Sequence, residues 1–245
     1  MQRRECRYAL QEICAGRHHC QQECIESSDL FHHMAPMTEH IWPLPNPSVS
    51  VVVLAGGQSS RLGSNKALLQ VQGQPLLART VHKLAALSDD LLVVTNEPAL
   101  YQPLALPARL VPDEKPGQGA LMGIYSGLKA AHYAYALAVA CDMPFLSLPL
   151  LRYMLSLAPA SDVVIPQLNG LLEPLHAVYG KACLPAMARL LDRGDRQIIA
   201  FFHEVRVRRV ESEEIDAYDP DHLSFSNVNT PADWERVQDI LEKEQ

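Results

Sequence analysis

The chain has 245 residues, of which 48% are hydrophobic, and its formal net charge at pH 7 is −7. This size and composition predict one globular α/β domain with a well-buried core. The acidic balance argues against a protein that binds nucleic acid or an anionic membrane surface, because those partners require clustered Lys and Arg. The central apolar stretch, residues 133–141, is far shorter than the roughly 20 residues of a membrane-spanning helix.

The first 47 residues form an extension whose composition differs from the rest of the chain. Four of the six cysteines lie in it with the spacing C-x7-C-x5-C-x3-C, namely Cys6, Cys14, Cys20 and Cys24. Zinc or iron–sulfur binding is one interpretation, but the spacing matches none of the standard C-x2-C ligand patterns. The other is a poorly ordered leader, or a translation start at Met34 or Met37. Three prolines between positions 43 and 47 cannot be helical, so we place a domain boundary there and a single folded domain over residues 48–245.

A secretory signal is not expected in the extension. Arg3 and Arg4 resemble the start of a signal peptide, but polar residues between positions 11 and 17 interrupt any apolar core after them. We therefore expect a cytoplasmic protein that does not associate with a membrane.

Residues 51–66, VVVLAGGQSSRLGSNK, predict a phosphate-binding turn after a strand. The β-branched run 51–54 is typical of a buried parallel strand, and Gly56 and Gly57 end it. Glycines let the backbone take positive φ and let N–H groups approach an anion. The polar side chains of the turn are Ser59, Ser60, Arg61, Asn65 and Lys66. The glycine spacing fits neither a P-loop nor a dinucleotide-binding fingerprint, and a glycine-rich βα turn with incidental charges is the alternative.

Alternating strand and helix patterns continue along the chain. Strands are predicted at residues 91–95, 110–112, 135–140, 162–166, 176–179 and 204–210, the last with Arg206 and Arg208 on one face. Helices are predicted at residues 75–87, 120–131, 181–191 and 232–242, the last with Thr230 as its N-cap. This alternation is typical of βαβ units with right-handed crossovers. The predicted fold is a three-layer, doubly wound, Rossmann-like α/β fold with a mostly parallel sheet.

Ligands of such folds lie beyond the carboxyl ends of the parallel strands. The residues that follow four of the predicted strands are Gly56 with Gly57, Thr95 with Asn96, Asp113, and Asp142. We expect them to meet in one cleft. Cys141, beside Asp142, is expected to be a packed small residue and not a nucleophile.

The segment L-A-G-G-x-S-x-R-x-G-x-x-K at residues 54–66 resembles the signature of the molybdenum cofactor guanylyltransferases. The likeness continues in order through residues 73–76, 112–113 and 141–144, then through EPLHAVY at 173–179, GDR at 194–196 and NVNTP at 227–231. It covers roughly residues 48–240. The resemblance implies a nucleotidyltransferase fold and transfer of GMP from GTP to the terminal phosphate of molybdopterin, with release of pyrophosphate.

The resemblance also implies roles for individual residues. Lys66, Arg61 and Asp142 are the predicted catalytic residues, with Asp142 as the Mg²⁺ ligand because a hard cation prefers carboxylate oxygen. The nucleotide is expected to contact Leu54, Ala55, Gly56, Gly57, Lys66, Asp113 and Asp142, together with Thr95 or Asn96. Asn227 and Asn229, which would share one side of a strand, are expected on the pterin and metal side of the cleft. Molybdoenzyme chaperones are candidate partners, and nucleic acid is not.

Other interpretations remain open for several of these residues. Asp142 could cap a helix, Asp113 could be an ordinary turn residue, and Lys66 and Arg61 could be solvated surface charges. His176 is better explained as a core histidine, while Arg196 could reach the acceptor phosphate or lie on the surface. The closest rival function is cytidylyl transfer to the same cofactor, whose branch resembles L-A-A-G where this chain has L-A-G-G. Transfer to another small phosphate, or a nucleotide-sensing domain without catalysis, are further alternatives.

Overall fold

Eight of the ten strands form one mixed sheet among the residues that the computed structural model describes, which are 48–56 and 65–243. The strands are β1 (Val49–Leu54), β2 (Gln70–Val71), β3 (Gln74–Pro75), β4 (Asp90–Val94), β5 (Arg109–Val111), β6 (Tyr135–Ala140), β7 (Val163–Leu168), β8 (Leu171–Leu172), β9 (His176–Gly180) and β10 (Val207–Val210). The helices are α1 (Leu76–Leu84), α2 (Pro98–Tyr101), α3 (Ala120–Ala130), α4 (Leu148–Leu157), α5 (Leu184–Asp192), α6 (Ser212–Asp216) and α7 (Pro231–Lys243).

The strand order across the large sheet is β10-β7-β9-β6-β1-β4-β5, with β8 paired to β7. Parallel pairing joins β1 to β4 and to β6, β4 to β5, and β7 to β10. Strand β9 runs antiparallel to both of its neighbours, β6 and β7. The predicted α/β fold with a mostly parallel sheet is confirmed. The reversed strand β9 separates its two parallel parts, and β8 runs antiparallel to β7.

Helices cover both faces of the sheet, which is why β1 and β4 are buried along their whole length. On one face, alternate residues of these strands pack against α1 and α4, as Val51 and Val53 do. On the other face, Val52 and Leu54 pack against α3 and α5. The strands therefore read as continuous apolar runs, and their polar residues are confined to the two ends.

Helix α3 lies unusually close to β1 because it carries two glycines on its buried side. A Cβ placed on Gly127 would lie 2.4 Å from Cγ1 of Val52, and one on Gly123 would lie 3.0 Å from Cδ2 of Leu54. The first distance is too short for any real contact, so α3 can pack there only without a side chain at position 127. The glycines bring the amino end of α3 near the carboxyl end of β1.

A buried carboxylate at the start of β4 stabilises the amino-terminal ends of the parallel strands. Asp90 accepts hydrogen bonds from Ser50 Oγ at 2.5 Å, Arg109 at 2.8 Å and the His132 N–H at 2.8 Å. Burial by itself would raise the pKa of Asp90, but the hydrogen bonds from His132, Ser50 and Arg109 outweigh it and hold that pKa below its ordinary value. Asp90 is therefore ionised and has a structural role.

Some elements differ from the sequence-based expectations. No prediction covered α4, whose N-cap is Ser147, or the β2–β3 hairpin. The strand predicted from residue 204 begins only at Val207, because Ile198–Glu204 forms a 3₁₀ helix. Arg206 precedes that strand and forms a salt bridge to Asp162 at 2.9 Å. The helix predicted over 181–191 begins as a 3₁₀ turn and becomes α-helical at Leu184.

The helices described here include none that is long and apolar enough to cross a lipid bilayer.

Candidate active site

The carboxyl ends of four neighbouring strands, β6, β1, β4 and β5, lie in one row. Leu54 of β1 pairs with Val94 of β4 and with Ala140 of β6. Hydrogen bonds continue past the strand ends, from Ala55 N to Val94 O at 3.0 Å and from Cys141 N to Leu54 O at 3.1 Å. The loops after these strands therefore leave the sheet side by side, as the sequence predicted.

Three side chains from distant parts of the chain meet beside this row. The Nζ of Lys66 lies 2.6 Å from Oδ1 of Asn229 and 3.2 Å from Oδ2 of Asp142, although 163 and 76 residues separate the partners in sequence. The side chains of Lys66 and Asp142 are only 18% and 20% exposed. The sequence proposed all three residues for the site, but it gave no reason to expect that Lys66 contacts Asn229.

Lys66 is positioned by the residue that precedes it. Oδ1 of Asn65 accepts a hydrogen bond from Ala67 N at 3.0 Å and so caps the short 3₁₀ helix Lys66–Leu68. Nδ2 of Asn65 donates to the hydroxyl of Tyr101 at 2.9 Å, and that hydroxyl donates to Ala55 O at 3.2 Å. The expectation that Asn65 would serve as a phosphate donor is not supported, because both ends of its amide already position this turn.

Tyr101 is a site residue that the sequence did not indicate. It is 2% exposed and lies at the end of α2, where a tyrosine in an apolar stretch looks like ordinary core. Its hydroxyl nevertheless links the Asn65 turn to the end of β1. Burial raises the pKa of Tyr101, so the hydroxyl keeps its proton as a donor.

Asn229 is held by the start of α7. Oδ2 of Asp233 accepts hydrogen bonds from Asn229 N at 2.9 Å and Thr230 N at 2.8 Å, and Thr230 Oγ1 accepts from Asp233 N at 3.2 Å. This reciprocal arrangement is a capping box, and it confirms Thr230 as the N-cap. The bonds from the backbone of Asn229 and from Thr230 hold the pKa of Asp233 below its ordinary value. The spacing Thr-x-x-Asp in the sequence was a signal for Asp233 that was not used.

The segment that carries Asn227 and Asn229 is not a strand, so the predicted alternation along a strand is wrong. One backbone hydrogen bond ties it to the site, from Val228 N to Asp142 O at 3.0 Å. Oδ1 of Asn227 is buried and has no hydrogen-bond partner among the residues described. Of the two asparagines, Asn229 is the one that reaches Lys66.

A second polar pair, Asn96 and Asp113, follows β4 and β5. Nδ2 of Asn96 donates to Oδ2 of Asp113 at 2.7 Å, and Oδ1 of Asn96 accepts from Asp113 N at 3.1 Å. Thr95 is 2% exposed, and its hydroxyl accepts a local bond from Glu97 N at 3.0 Å. Geometry therefore favours Asn96 over Thr95 as the residue that faces a ligand.

Asp113 has one oxygen that this part of the structure leaves without a partner. Its Oδ1 is buried, and a Cβ on Gly123 would lie 3.7 Å from it. A buried acceptor without a donor costs about 1 to 3 kcal/mol, so such atoms in folded proteins commonly serve a ligand or a water molecule. Oδ1 of Asp113 is thus a candidate acceptor for a donor group of a bound nucleoside.

The backbone at the end of β1 is mostly occupied already. Leu54 O accepts from Cys141 N, while Ala55 bonds through both its N–H and its C=O. Gly56 is exposed, and none of the described residues beyond its chain neighbours lies within 4 Å of a Cβ placed on it. Gly56 does not have the positive φ that the sequence led us to expect. Gly57, Arg61, Ser59 and Ser60 lie outside the described residues.

Three further residues named from the sequence have been located. Cys141 is a protonated thiol, because burial raises its pKa to about 12, and this agrees with its expected packing role. His176 is fully buried against Phe225, with ring centroids 4.8 Å apart, and burial lowers its pKa to about 4. Neither ring nitrogen of His176 has a partner within the described ranges. The side chain of Arg196 runs beside Gly119, where Cδ lies 4.0 Å from the position of a Cβ on that glycine.

The oxygen donors present suit a divalent cation. Oδ2 of Asp142 and Oδ1 of Asn229 converge on one ammonium group, and carboxylate or amide oxygens are what Mg²⁺ prefers. Residues 48–56 and 65–243 contain no cluster of three or more His, Cys, Asp or Glu side chains with the arrangement of a metal site. Mg²⁺ usually binds one or two protein oxygens and completes its coordination shell with phosphates and water. The two oxygens are therefore sufficient for a Mg²⁺ ion that binds together with a nucleotide.

Comparison with known proteins gives a consistent family. Residues 51–209 match the model of the MobA-like NTP transferase domain. The molybdenum cofactor guanylyltransferase of Desulfosudis oleivorans is 35% identical over 193 residues, which cover 78% of this chain and 95% of that protein. A probable molybdenum cofactor guanylyltransferase of Pelotomaculum thermopropionicum is 37% identical over 191 residues, covering 78% and 92% of the two chains.

A solved structure extends the likeness to three dimensions. The crystal structure of molybdopterin-guanine dinucleotide biosynthesis protein A from Archaeoglobus fulgidus is 26% identical in sequence and has a TM-score of 0.71. The alignment covers 79% of this chain and 99% of that chain.

Proposed function

Because the chain belongs to the molybdenum cofactor guanylyltransferase family and contains a MobA-like NTP transferase domain, we propose that it transfers GMP from GTP to molybdopterin. In this reaction an oxygen of the terminal phosphate of molybdopterin attacks the α-phosphorus of GTP. A new P–O bond forms there, and the bond to the bridging oxygen of the β-phosphate breaks with release of pyrophosphate. GTP and molybdopterin are the substrates, and the guanine dinucleotide form of the cofactor is the product.

The convergence of Lys66, Asp142 and Asn229 is the observation that carries this proposal. Nucleotidyl transfer between two phosphates needs no covalent nucleophile on the protein, but it does need groups that position the anions and stabilise the departing charge. Lys66 supplies a cation within reach of the cleft, and its position is set by the Asn65 turn. It would neutralise the triphosphate and the pyrophosphate that leaves.

The pair formed by Asn96 and Asp113 supports a nucleoside site. Oδ1 of Asp113 can accept a hydrogen bond from an N–H or O–H of the nucleoside, which would remove the cost of its present burial. Asn96 fixes the other carboxylate oxygen and the backbone N–H of Asp113. Both residues would thus orient the nucleotide without taking part in bond cleavage.

We assign the divalent cation of the reaction to Mg²⁺, held by Asp142 with Asn229 beside it. When bound there with the nucleotide, Mg²⁺ would act as a Lewis acid on the triphosphate oxygens. The chain's own contribution is to bring Asp142 and Asn229 together, through the backbone bond from Val228 N to Asp142 O and the capping box of α7.

Pyrophosphate release tests the substrate assignment directly. The purified chain is incubated with Mg²⁺, molybdopterin and one of GTP, CTP or ATP, with a parallel reaction that lacks molybdopterin to measure hydrolysis. In the presence of molybdopterin we expect pyrophosphate release with GTP but not with CTP or ATP. The reason is that residues 54–57 read L-A-G-G and not the L-A-A-G of the cytidylyl branch. Equal release with CTP, or none with any nucleotide, would refute the proposal.

We propose that residues 1–47 are a separate extension that takes no part in catalysis. Deletion of residues 1–45 is then expected to leave kcat and KM unchanged, and stoichiometric zinc or iron in the full-length chain would contradict this view. We also place the reaction in the cytoplasm and propose that the product passes to a molybdoenzyme or its chaperone. Pull-down of such a chaperone from cytoplasmic extract by the tagged chain tests the second point.

A further inference from the structure

The oxygens suited to a metal already hold a cation of the protein itself. Nζ of Lys66 lies 2.6 Å from Oδ1 of Asn229 and 3.2 Å from Oδ2 of Asp142. All three groups are polar, and the ion pair is about four-fifths shielded from solvent. A divalent ion bound to both oxygens would stand only a few ångströms from the ammonium of Lys66, and the two cations would repel each other strongly.

The backbone that carries the two oxygens is held independently of Lys66. Asp142 lies two residues after the end of β6, and its carbonyl accepts a bond from Val228 N at 3.0 Å. The N–H of Asn229 donates to Oδ2 of Asp233 at 2.9 Å. Loss of the ammonium would therefore leave both residues in place, with their side-chain oxygens available to another cation.

Lys66, in contrast, lies at the first position of a single 3₁₀ turn, and its long side chain can rotate without disturbing the backbone. A triphosphate that arrived in the cleft would offer it several anionic oxygens in place of one carboxylate and one neutral amide. Such charge-assisted bonds are the stronger ones. The nucleotide can thus draw Lys66 away from Asp142 and Asn229.

From these contacts we infer that Lys66 is the resident cation of the metal site until a nucleotide arrives, and that Asn229 is a metal-positioning residue beside Asp142. The divalent ion enters together with the triphosphate, because only the triphosphate releases Lys66. The free enzyme then binds metal weakly, because Lys66 already occupies both oxygens. This inference deepens the proposed function and rests on it for the identity of the nucleotide only.

The test measures Mn²⁺ binding to the full chain. Binding is monitored by the loss of the free-ion signal in electron paramagnetic resonance. For the wild type we expect binding at least tenfold tighter with the non-hydrolysable analogue α,β-methylene-GTP than without it. For Lys66→Met without nucleotide we expect binding at least tenfold tighter than for the wild type. The double variants Lys66→Met/Asp142→Asn and Lys66→Met/Asn229→Ala should both lose that gain.

A matched control separates the contact from a general change in charge. Lys181 lies at the opposite edge of the sheet, where its Nζ donates to Ala131 O, and Lys181→Met removes the same charge there. It should bind Mn²⁺ as weakly as the wild type. Thermal unfolding verifies that each variant is folded.

The inference is overturned if Lys66→Met binds Mn²⁺ no tighter than the wild type, or if Lys181→Met shows the same gain. Retention of the gain in Lys66→Met/Asn229→Ala would overturn the role of Asn229. The decisive comparison contains neither GTP nor molybdopterin. Failure of the proposed guanylyl transfer would therefore appear in the pyrophosphate assay and not in this one.

Discussion

Two aspartates at opposite ends of the parallel strands allow the effect of a substitution on activity to be distinguished from its effect on stability. The side chain of Asp142 is 20% exposed and, among the described residues, accepts one hydrogen bond, from Lys66. Asp90 is 4% exposed on its side chain and accepts bonds from Ser50, Arg109 and the N–H of His132. We predict that Asp142→Ala abolishes turnover with little change in stability, and that Asp90→Ala does the reverse.

The magnitudes follow from what each substitution leaves unpaired. Asp90→Ala strands three donors, one of them the half-exposed guanidinium, and about 1 kcal/mol for each gives a loss of about 3 kcal/mol. In a domain of this size that corresponds to a fall in Tm of about 6 to 12 °C. Asp142→Ala breaks a partly exposed ion pair worth less than about 1 kcal/mol. Because it removes the proposed metal ligand, we expect turnover to fall by at least about 1000-fold.

The assay pairs thermal unfolding by circular dichroism with pyrophosphate release, measured well below the Tm of each variant. Asp90→Ala should keep the wild-type kcat per folded molecule. The assignment would be refuted if Asp142→Ala retained more than a tenth of the wild-type turnover, or if its Tm fell as far as that of Asp90→Ala. A loss of kcat in Asp90→Ala at unchanged Tm would likewise contradict the structural role of that residue.

Three further outcomes are expected. Lys66→Met should lower kcat/KM for GTP by about 30-fold to 1000-fold, or about 2 to 4 kcal/mol of transition-state stabilisation, and unchanged kinetics would contradict its role. Burial holds the pKa of His176 at about 4 against an ordinary 6.5, so this neutral histidine makes the fold lose stability as the pH falls from 6.5 to 4. In His176→Leu, the free energy of unfolding measured with denaturant should fall by about 3 kcal/mol less over this pH range than in the wild type, and turnover should be retained. Unfolding free energies that fall in parallel with pH in the two proteins would contradict this. Gly127→Ala should destabilise the fold by about 1 to 3 kcal/mol, since its Cβ would overlap Val52, whereas Gly123→Ala should cost less because it meets the end of a leucine side chain.

The central strands could be predicted closely because a strand buried on both faces has a distinctive sequence. The run that became β1 is β-branched and apolar, and two glycines follow it after a single alanine. The strand β6 was predicted with its observed bounds, Tyr135–Ala140, because Asp142 interrupts the apolar run just after it. Both signals are local, so one sequence is enough to read them.

Other elements could not be predicted because their signals are weak or not local. Helix α4 is apolar on nearly every side and carries a proline in its first turn, so it lacks the periodicity that marks an amphipathic helix. The hairpin of β2 and β3 has strands of two residues each, joined by Gln72 and Gly73 in left-handed conformations. The antiparallel direction of β9 depends on the chain path between β7 and β9, which side-chain alternation does not record.

The site shows the same division. The sequence placed polar residues after the right strands, since strand ends are local features, but the partners of each side chain depend on packing. Asn65 was expected to face phosphate and instead positions the Lys66 turn through Tyr101. Asn229 was grouped with Asn227 by alternation, and the structure separates them because that segment is irregular.

The site has two polar groups, one around Lys66 and the other formed by Asn96 and Asp113. They lie on different faces of β1, and this explains why the glycine at position 56 matters. Leu54 packs toward α3, where Gly123 approaches Asp113, while Val53 and Ala55 pack toward α1, the helix just after the Lys66 turn. A nucleotide that contacts both groups must pass over the end of β1. Gly56 stands there, and no atom of residues 48–56 and 65–243 outside its chain neighbours lies within 4 Å of the position where a Cβ would project. An alanine at this position, as in the cytidylyl branch, would occupy part of that path, so the smallest residue leaves the most room for the larger purine base.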